Sequence, residues 1–135
     1  METSEKKLVF VVDDDSLYTK GVSEYLRKEI PDLQIKAFST GEACLHALHL
    51  NPSVIILDYY LNSEFEFAWN GLQMLKKILT TQPWLKVIIV SCQHEMEIAL
   101  NCMKEGAADY IIKNENALPS IKKTVDALFD GAIEY

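Results

Sequence analysis

Disulfide staples, zinc-type cysteine pairs, basic blocks and membrane-length apolar runs are all missing from this chain. Its cysteines, Cys44, Cys92 and Cys102, are odd in number and lack CxxC spacing, which suits a reducing compartment better than a disulfide framework or a zinc site. All three read as packing residues. His46, His49 and His94 are scattered without ligand spacing. No cluster of Lys or Arg offsets a formal net charge of -7, so a phosphate-neutralising grip on nucleic acid is excluded and no direct nucleic-acid contact is expected. The opening METSEKK is polar, and no apolar stretch approaches a membrane span of about 20 residues or a secretory signal core. These absences predict a cytoplasmic chain with no membrane segment.

What is present suffices for a core: 135 residues fit one domain, and 49% of them are hydrophobic. Residues 8–12 are short, apolar and β-branched like a strand, and Ser16 to Ile30 then carries Tyr18, Val22, Tyr25 and Leu26 at helical spacing. Pro31 ends that helix. Leu33 to Phe38 alternates like a strand, and Ser39-Thr40-Gly41-Glu42 offers cap chemistry for a helix through Leu48. Asn51-Pro52 breaks that helix before a strand at Ser53 to Leu57. Gly71 to about Gln82 is helical through Leu72, Leu75 and Leu79, and Val87 to Val90, the most apolar run, predicts a central strand buried on both faces. Met96, Ala99, Leu100 and Met103 share a helical face, and Gly106 is a stop signal. Asp109 to Ile112 predicts a last strand. A last helix over Ala117 to Phe129 has Leu118, Ile121, Val125 and Leu128 on one face. Five strand-helix alternations predict an α/β fold, a doubly wound five-stranded parallel sheet with helices on both faces. One stretch, YYLNSEFEFAWN between Asp58 and Gly71, is too long for an ordinary strand-to-helix turn.

Four of the apolar runs end in residues that suit phosphoryl chemistry. Asp13 and Asp14 follow LVFVV, Asp58 follows VIIL, Ser91 follows VIIV and Lys113 follows YII. The remaining run ends in Ser39 and Thr40, ordinary turn and cap residues. Parallel α/β sheets place their crevice at the carboxyl ends of the strands, so these side chains are expected at one edge. Three carboxylates repel one another unless a cation lies among them, and magnesium takes one or two carboxylates plus water and phosphate oxygens. A carboxylate also attacks phosphorus to give an aspartyl phosphate, a reaction that needs chiefly position and charge neutralisation.

The motifs LVFVVDDDS, VIILDYYLN, GLQMLKKI, VIIVSCQ and EGAADYIIK, in this order, resemble the receiver domain of two-component response regulators. The resemblance runs from about Lys7 to Phe129 and implies a single receiver domain over 1–135, flavodoxin-like, with strand order 2-1-3-4-5. It implies that Asp58 is the phosphoacceptor. Asp14, with Asp13 partly through water, would hold Mg2+ together with Asp58 and the backbone carbonyl of Tyr60. Lys113 would pair with the acceptor and then with the phosphoryl group, the Ser91 hydroxyl would bind a phosphoryl oxygen, and Tyr110 matches an aromatic switch that turns inward on activation. The implied partners are a sensor histidine kinase or phosphotransfer protein and an unidentified effector or output domain. A phosphorylation-dependent homodimer is also within the family's range. Such a domain is not an enzyme beyond assisting its own phosphorylation and dephosphorylation, the latter tuned at the positions of Tyr60 and Gln93.

Three departures stand out against the family pattern. Asn114 follows Lys113 where proline is usual, which leaves a cis peptide there open. The loop after Asp58 carries Phe65, Phe67 and Trp69 among acids, and Cys92 replaces a smaller residue beside Ser91. Two other functions compete. A phosphorylation-independent pseudo-receiver would use the fold as an interaction module. A phosphohydrolase of the haloacid dehalogenase class would use Asp13 as nucleophile and Asp15 as general acid, since DDDSL also resembles that family's DxDxT strand end.

Overall fold

The computed structural model describes residues 7–60, 70–92 and 94–130. Strands β1 (Lys7–Val12), β2 (Leu33–Phe38), β3 (Val54–Asp58), β4 (Lys86–Ser91) and β5 (Asp109–Ile112) alternate with helices α1 (Ser16–Glu29), α2 (Gly41–His46), α3 (Gly71–Thr81), α4 (Met96–Lys104) and α5 (Ala117–Phe129). All strand pairs are parallel, in the order β2-β1-β3-β4-β5. The expected doubly wound topology is therefore present. The middle of the sheet is β3, with β4 an interior neighbour rather than the centre; both are buried on both faces.

Period-two alternation divides the apolar runs between two cores. Val9, Val11, Ile56, Ile88 and Val90 face α1 and α5, packing with Val22, Leu26, Ile121 and Val125. Phe10, Val12, Ile55, Leu57 and Ile89 face the other way, with Cys44 of α2, Met74, Leu75 and Ile78 of α3 and Cys102 of α4. Helix starts are chemically marked. Asp15 caps α1 by accepting from the Leu17 and Tyr18 amides, Thr40 caps α2 through the Ala43 amide, and Asn70 and Gln73 form a reciprocal capping box on α3.

Several bounds and faces differ from the sequence reading. The second helix stops at His46 and tightens into a 3-10 turn, Leu48–Leu50, before left-handed Asn51; the tighter winding buries Leu48. The third strand begins one residue late and takes in Asp58, which pairs with Val90. On α4 the spaced apolar residues look outward: Met96, Leu100 and Met103 are 70%, 60% and 41% exposed. The helix seats instead through Cys102 and Ile98, which pack on the sheet. Of the cysteines, Cys44 and Cys102 are buried as expected, but Cys92 is exposed at the end of β4 and packs no core.

Candidate phosphoacceptor site

The strand register assembles the site. Val12 lies beside Leu57, Asp58 beside Val90 and Ser91 beside Ile112, so the polar residues ending β1, β3, β4 and β5 arrive at one edge of the sheet, Ser91 one residue and Lys113 two residues beyond the level of Asp13 and Asp58. Backbone bonds extend this alignment past the strands, with the Asp13 amide donating to the Phe38 carbonyl, Tyr59 to Val90 and Lys113 to Ser91. The chain reverses direction across the sheet between β1 and β3, so the crevice at their carboxyl ends is the topological switch point.

Asp13, Asp14 and Asp58 each place a carboxylate oxygen within 4.8 Å of the others, with Asp13 and Asp58 buried and Asp14 exposed. The Lys113 ammonium reaches Asp13 Oδ2 at 2.8 Å and Asp58 Oδ1 at 3.2 Å. Burial, then the charge of Asp13, pushes the Asp58 carboxyl up to about 6, against the opposing pull of Lys113. Burial and Asp13 likewise raise Asp14. Burial alone would lower the Lys113 ammonium, but its hydrogen bond to Asp13 and the charge of Asp58 leave it raised. One ammonium against three carboxylates leaves the cluster net negative, and an oxygen-bound divalent cation would offset that excess. The donor set fits magnesium in kind: hard carboxylate oxygens, with Asp14 open to solvent for water or phosphate oxygen.

Capping of α1 falls to a third acid and not to the Asp13-Asp14 pair. Asp15 performs the capping, which leaves Asp14 free of that task and lets Asp13 Oδ1 accept from the Asp15 amide at 2.9 Å. Ser91 is fully buried and shares a hydrogen bond with the partly buried Tyr110 side chain, which packs against the core that also holds Cys44, Met74 and Cys102. Burial raises the Tyr110 phenol while this bond to Ser91 lowers it. At the start of the same strand, Asp109 Oδ2 accepts from Thr124 Oγ1 at 2.7 Å and ties β5 to α5.

After Lys113, no peptide among the described residues is cis, and the Asn114 side chain accepts from the Asn116 amide at 2.8 Å. An asparagine turn thus occupies the place where the family pattern has proline. Tyr60 is 47% exposed, its ring 5.0 Å edge-on from that of Tyr59. Gln93 and residues 61–69, with Phe65, Phe67 and Trp69, lie outside the described residues.

Two residues that the sequence reading passed over join the site. Tyr18, read as a helical core position, sets its ring face 4.4 Å from the Lys113 ammonium. The available signal was its place in the first turn after the acid pair, a turn that starts at the strand ends. Gly71, read as a helix start, lies against the backbone following Asp58, its amide 2.6 Å from the Tyr59 carbonyl.

Fold and site together define a doubly wound α/β domain with an acidic, lysine-closed crevice at its switch point. The chain belongs to the response regulator receiver domain family, whose pattern it matches over residues 9–126. Among similar proteins, the response regulator GacA of Pseudomonas aeruginosa is 31% identical over 91% of this chain and 55% of its own length. A protein-glutamate methylesterase/protein-glutamine glutaminase of Bacillus subtilis is 34% identical over 82% of this chain and 30% of its own. The BeF3-activated DrrB receiver domain superposes with a TM-score of 0.80 at 28% identity, covering 93% of this chain and 99% of that one. The chain thus spans about half or less of the curated relatives named here. Family membership, with Asp15 used as a cap and Asp58 drawn into the site, sets the phosphohydrolase alternative aside.

Proposed function

We propose that this receiver accepts a phosphoryl group on Asp58 from a histidine kinase or phosphotransfer protein and relays the change through Tyr110 to an effector or output domain. The observation that carries this reading is the convergence of Asp13, Asp14 and Asp58 around one point, with Lys113 bridging Asp13 and Asp58. In the transfer, an Asp58 oxygen attacks phosphorus, the nitrogen-phosphorus bond of the donor breaks, and its electron pair leaves with the nitrogen. Asp13, Asp14, Asp58 and the Tyr60 carbonyl would hold magnesium, which when bound would supply charge neutralisation at the phosphoryl oxygens. Lys113 moves its ammonium onto the transferred group, and the Ser91 hydroxyl leaves Tyr110 to bind a phosphoryl oxygen. Exposed Met96, Leu100 and Met103 beside β5 supply an apolar surface for the output partner. The chain acts as one receiver unit in the cytoplasm, without catalysis of any reaction but its own.

A beryllofluoride titration in magnesium, followed by NMR, tests this. Resonances of Asp58, Ser91 and Tyr110 are expected to shift together; an unchanged Tyr110 would remove the switch, and no response at Asp58 would favour a phosphorylation-independent module.

Magnesium alone should also stabilise the fold, since it relieves repulsion among the three acids. At a hundredfold excess over Kd the gain is about 2.7 kcal/mol, read as a rise in Tm. Asp14→Asn should lose most of that rise, because Asp14 is the solvent-facing acid of the cluster; a full rise in this variant would count against the assigned ligand set.

The aspartyl phosphate is expected to be long-lived, because Tyr60, two residues past the acceptor, is bulky where an attacking water must approach. Tyr60→Ala should shorten the lifetime roughly tenfold, about 1.4 kcal/mol of barrier. A lifetime that is unchanged or longer would refute the screening role.

A further inference from the structure

We propose that Tyr18 is a positioning residue for Lys113, its ring face holding the ammonium at the crevice while that ammonium changes partners. The inference rests on the receiver reading and adds to it a residue outside the acids, hydroxyl and lysine.

An ammonium has three N–H donors and no acceptor. In the described structure Lys113 is held by Asp13 Oδ2 at 2.8 Å and Asp58 Oδ1 at 3.2 Å, with the Tyr18 ring centroid 4.4 Å away. When Asp58 becomes an acyl phosphate its carboxylate charge is lost and the negative charge lies on the phosphoryl oxygens, so the ammonium must slide to them without leaving the site. A ring face suits that task. Its attraction for a cation is electrostatic, tolerates displacement across the face and uses up no single hydrogen-bond direction.

The ring is itself well supported. The Tyr18 amide is the third residue of α1 and donates to the Asp15 cap at 3.2 Å, which fixes the first turn. Its side chain packs against the core shared by α1 and α5. By contrast, the loop beyond Lys113 is held by an asparagine turn through Asn114 and Asn116. The Tyr18 hydroxyl is buried with no hydrogen-bond partner among the described residues, so the ring and not the phenol is the acting part.

Three measurements on the full chain test this: NMR shifts of the Lys113 ε protons, the rate of Asp58 labelling by acetyl phosphate in magnesium, and stability to urea. In the parent chain the ε protons should be shifted upfield by the ring current. Tyr18→Leu should abolish that shift and slow labelling about tenfold, a factor typical of a partly desolvated cation-ring contact. Tyr18→Phe keeps the ring, and should restore both shift and rate while folding at least as stably, because an unpartnered buried hydroxyl is removed. Parent-like labelling by Tyr18→Leu, or loss of rate in Tyr18→Phe, would overturn the proposal. A parent chain that takes no label defeats the receiver reading, and the presence or absence of the Lys113 shift then decides on the Tyr18 contact by itself.

Discussion

Asp58→Asn should take no label from acetyl phosphate in magnesium, yet in metal-free buffer at pH 7 it should unfold at a higher temperature than the parent chain. Loss of label follows from removing the oxygen proposed as the nucleophile, while Asp13 keeps its own contact with Lys113. The gain in stability follows from linkage. The folded-state value of the Asp58 carboxyl, about 6, lies above its ordinary 3.8, because burial and Asp13 disfavour its charge. Between these values folded chains hold more protons than unfolded ones, so stability falls as pH rises through the window and stays reduced above it. The full shift would correspond to about 3 kcal/mol. Screening by solvent at the crevice mouth reduces the expected gain to about 1–2 kcal/mol, or roughly 4–8 °C in Tm. That gain should fade as pH is lowered through 6 toward 3.8, where the parent carboxyl is protonated and resembles the amide. Equal Tm values at pH 7, or labelling retained at another acid such as Asp13, would contradict the assignment.

Gly71→Ala should be the most damaging small substitution near the site. A Cβ there would lie 2.5 Å from the Tyr59 Cα, 2.9 Å from the Tyr59 carbonyl oxygen and 3.1 Å from that of Asp58. These are backbone atoms at the end of a fully buried strand, and they cannot turn aside as a side chain can. The start of α3 or the end of β3 must move, at a cost of about 2–4 kcal/mol. Thermal unfolding checks the stability. Labelling checks the site, because a shift of the Tyr59 backbone also moves Asp58 and the proposed Tyr60 carbonyl ligand. At Gly41, by contrast, the three atoms nearest the added Cβ all belong to the flexible Met74 side chain, which can rearrange, so Gly41→Ala should be milder.

The acids, Ser91 and Lys113 were legible because each ends a buried apolar run, and a parallel ladder brings such ends to one edge of the sheet. The last strand and helix were legible at their residue bounds, since Gly106 stops α4 and adopts the positive φ that its place requires. Other features depend on what lies opposite. Periodicity grouped Met96, Leu100 and Met103 on one face, but a stripe alone does not say whether anything covers it. Tyr18 has the spacing of a core residue, and its contact with Lys113 joins the two ends of the chain, beyond the reach of any local pattern. Gly71 likewise owes its role to the close passage of Tyr59, a distance that composition does not encode.

The ion pair between Asp13 and Lys113 spans 100 residues. During synthesis the three carboxylates leave the ribosome long before the ammonium, and a partly made chain ending in β4 has the negative charges of the crevice without their cation. The charge balance of the proposed acceptor site is therefore reached only with the docking of β5, which carries Lys113 to the acids.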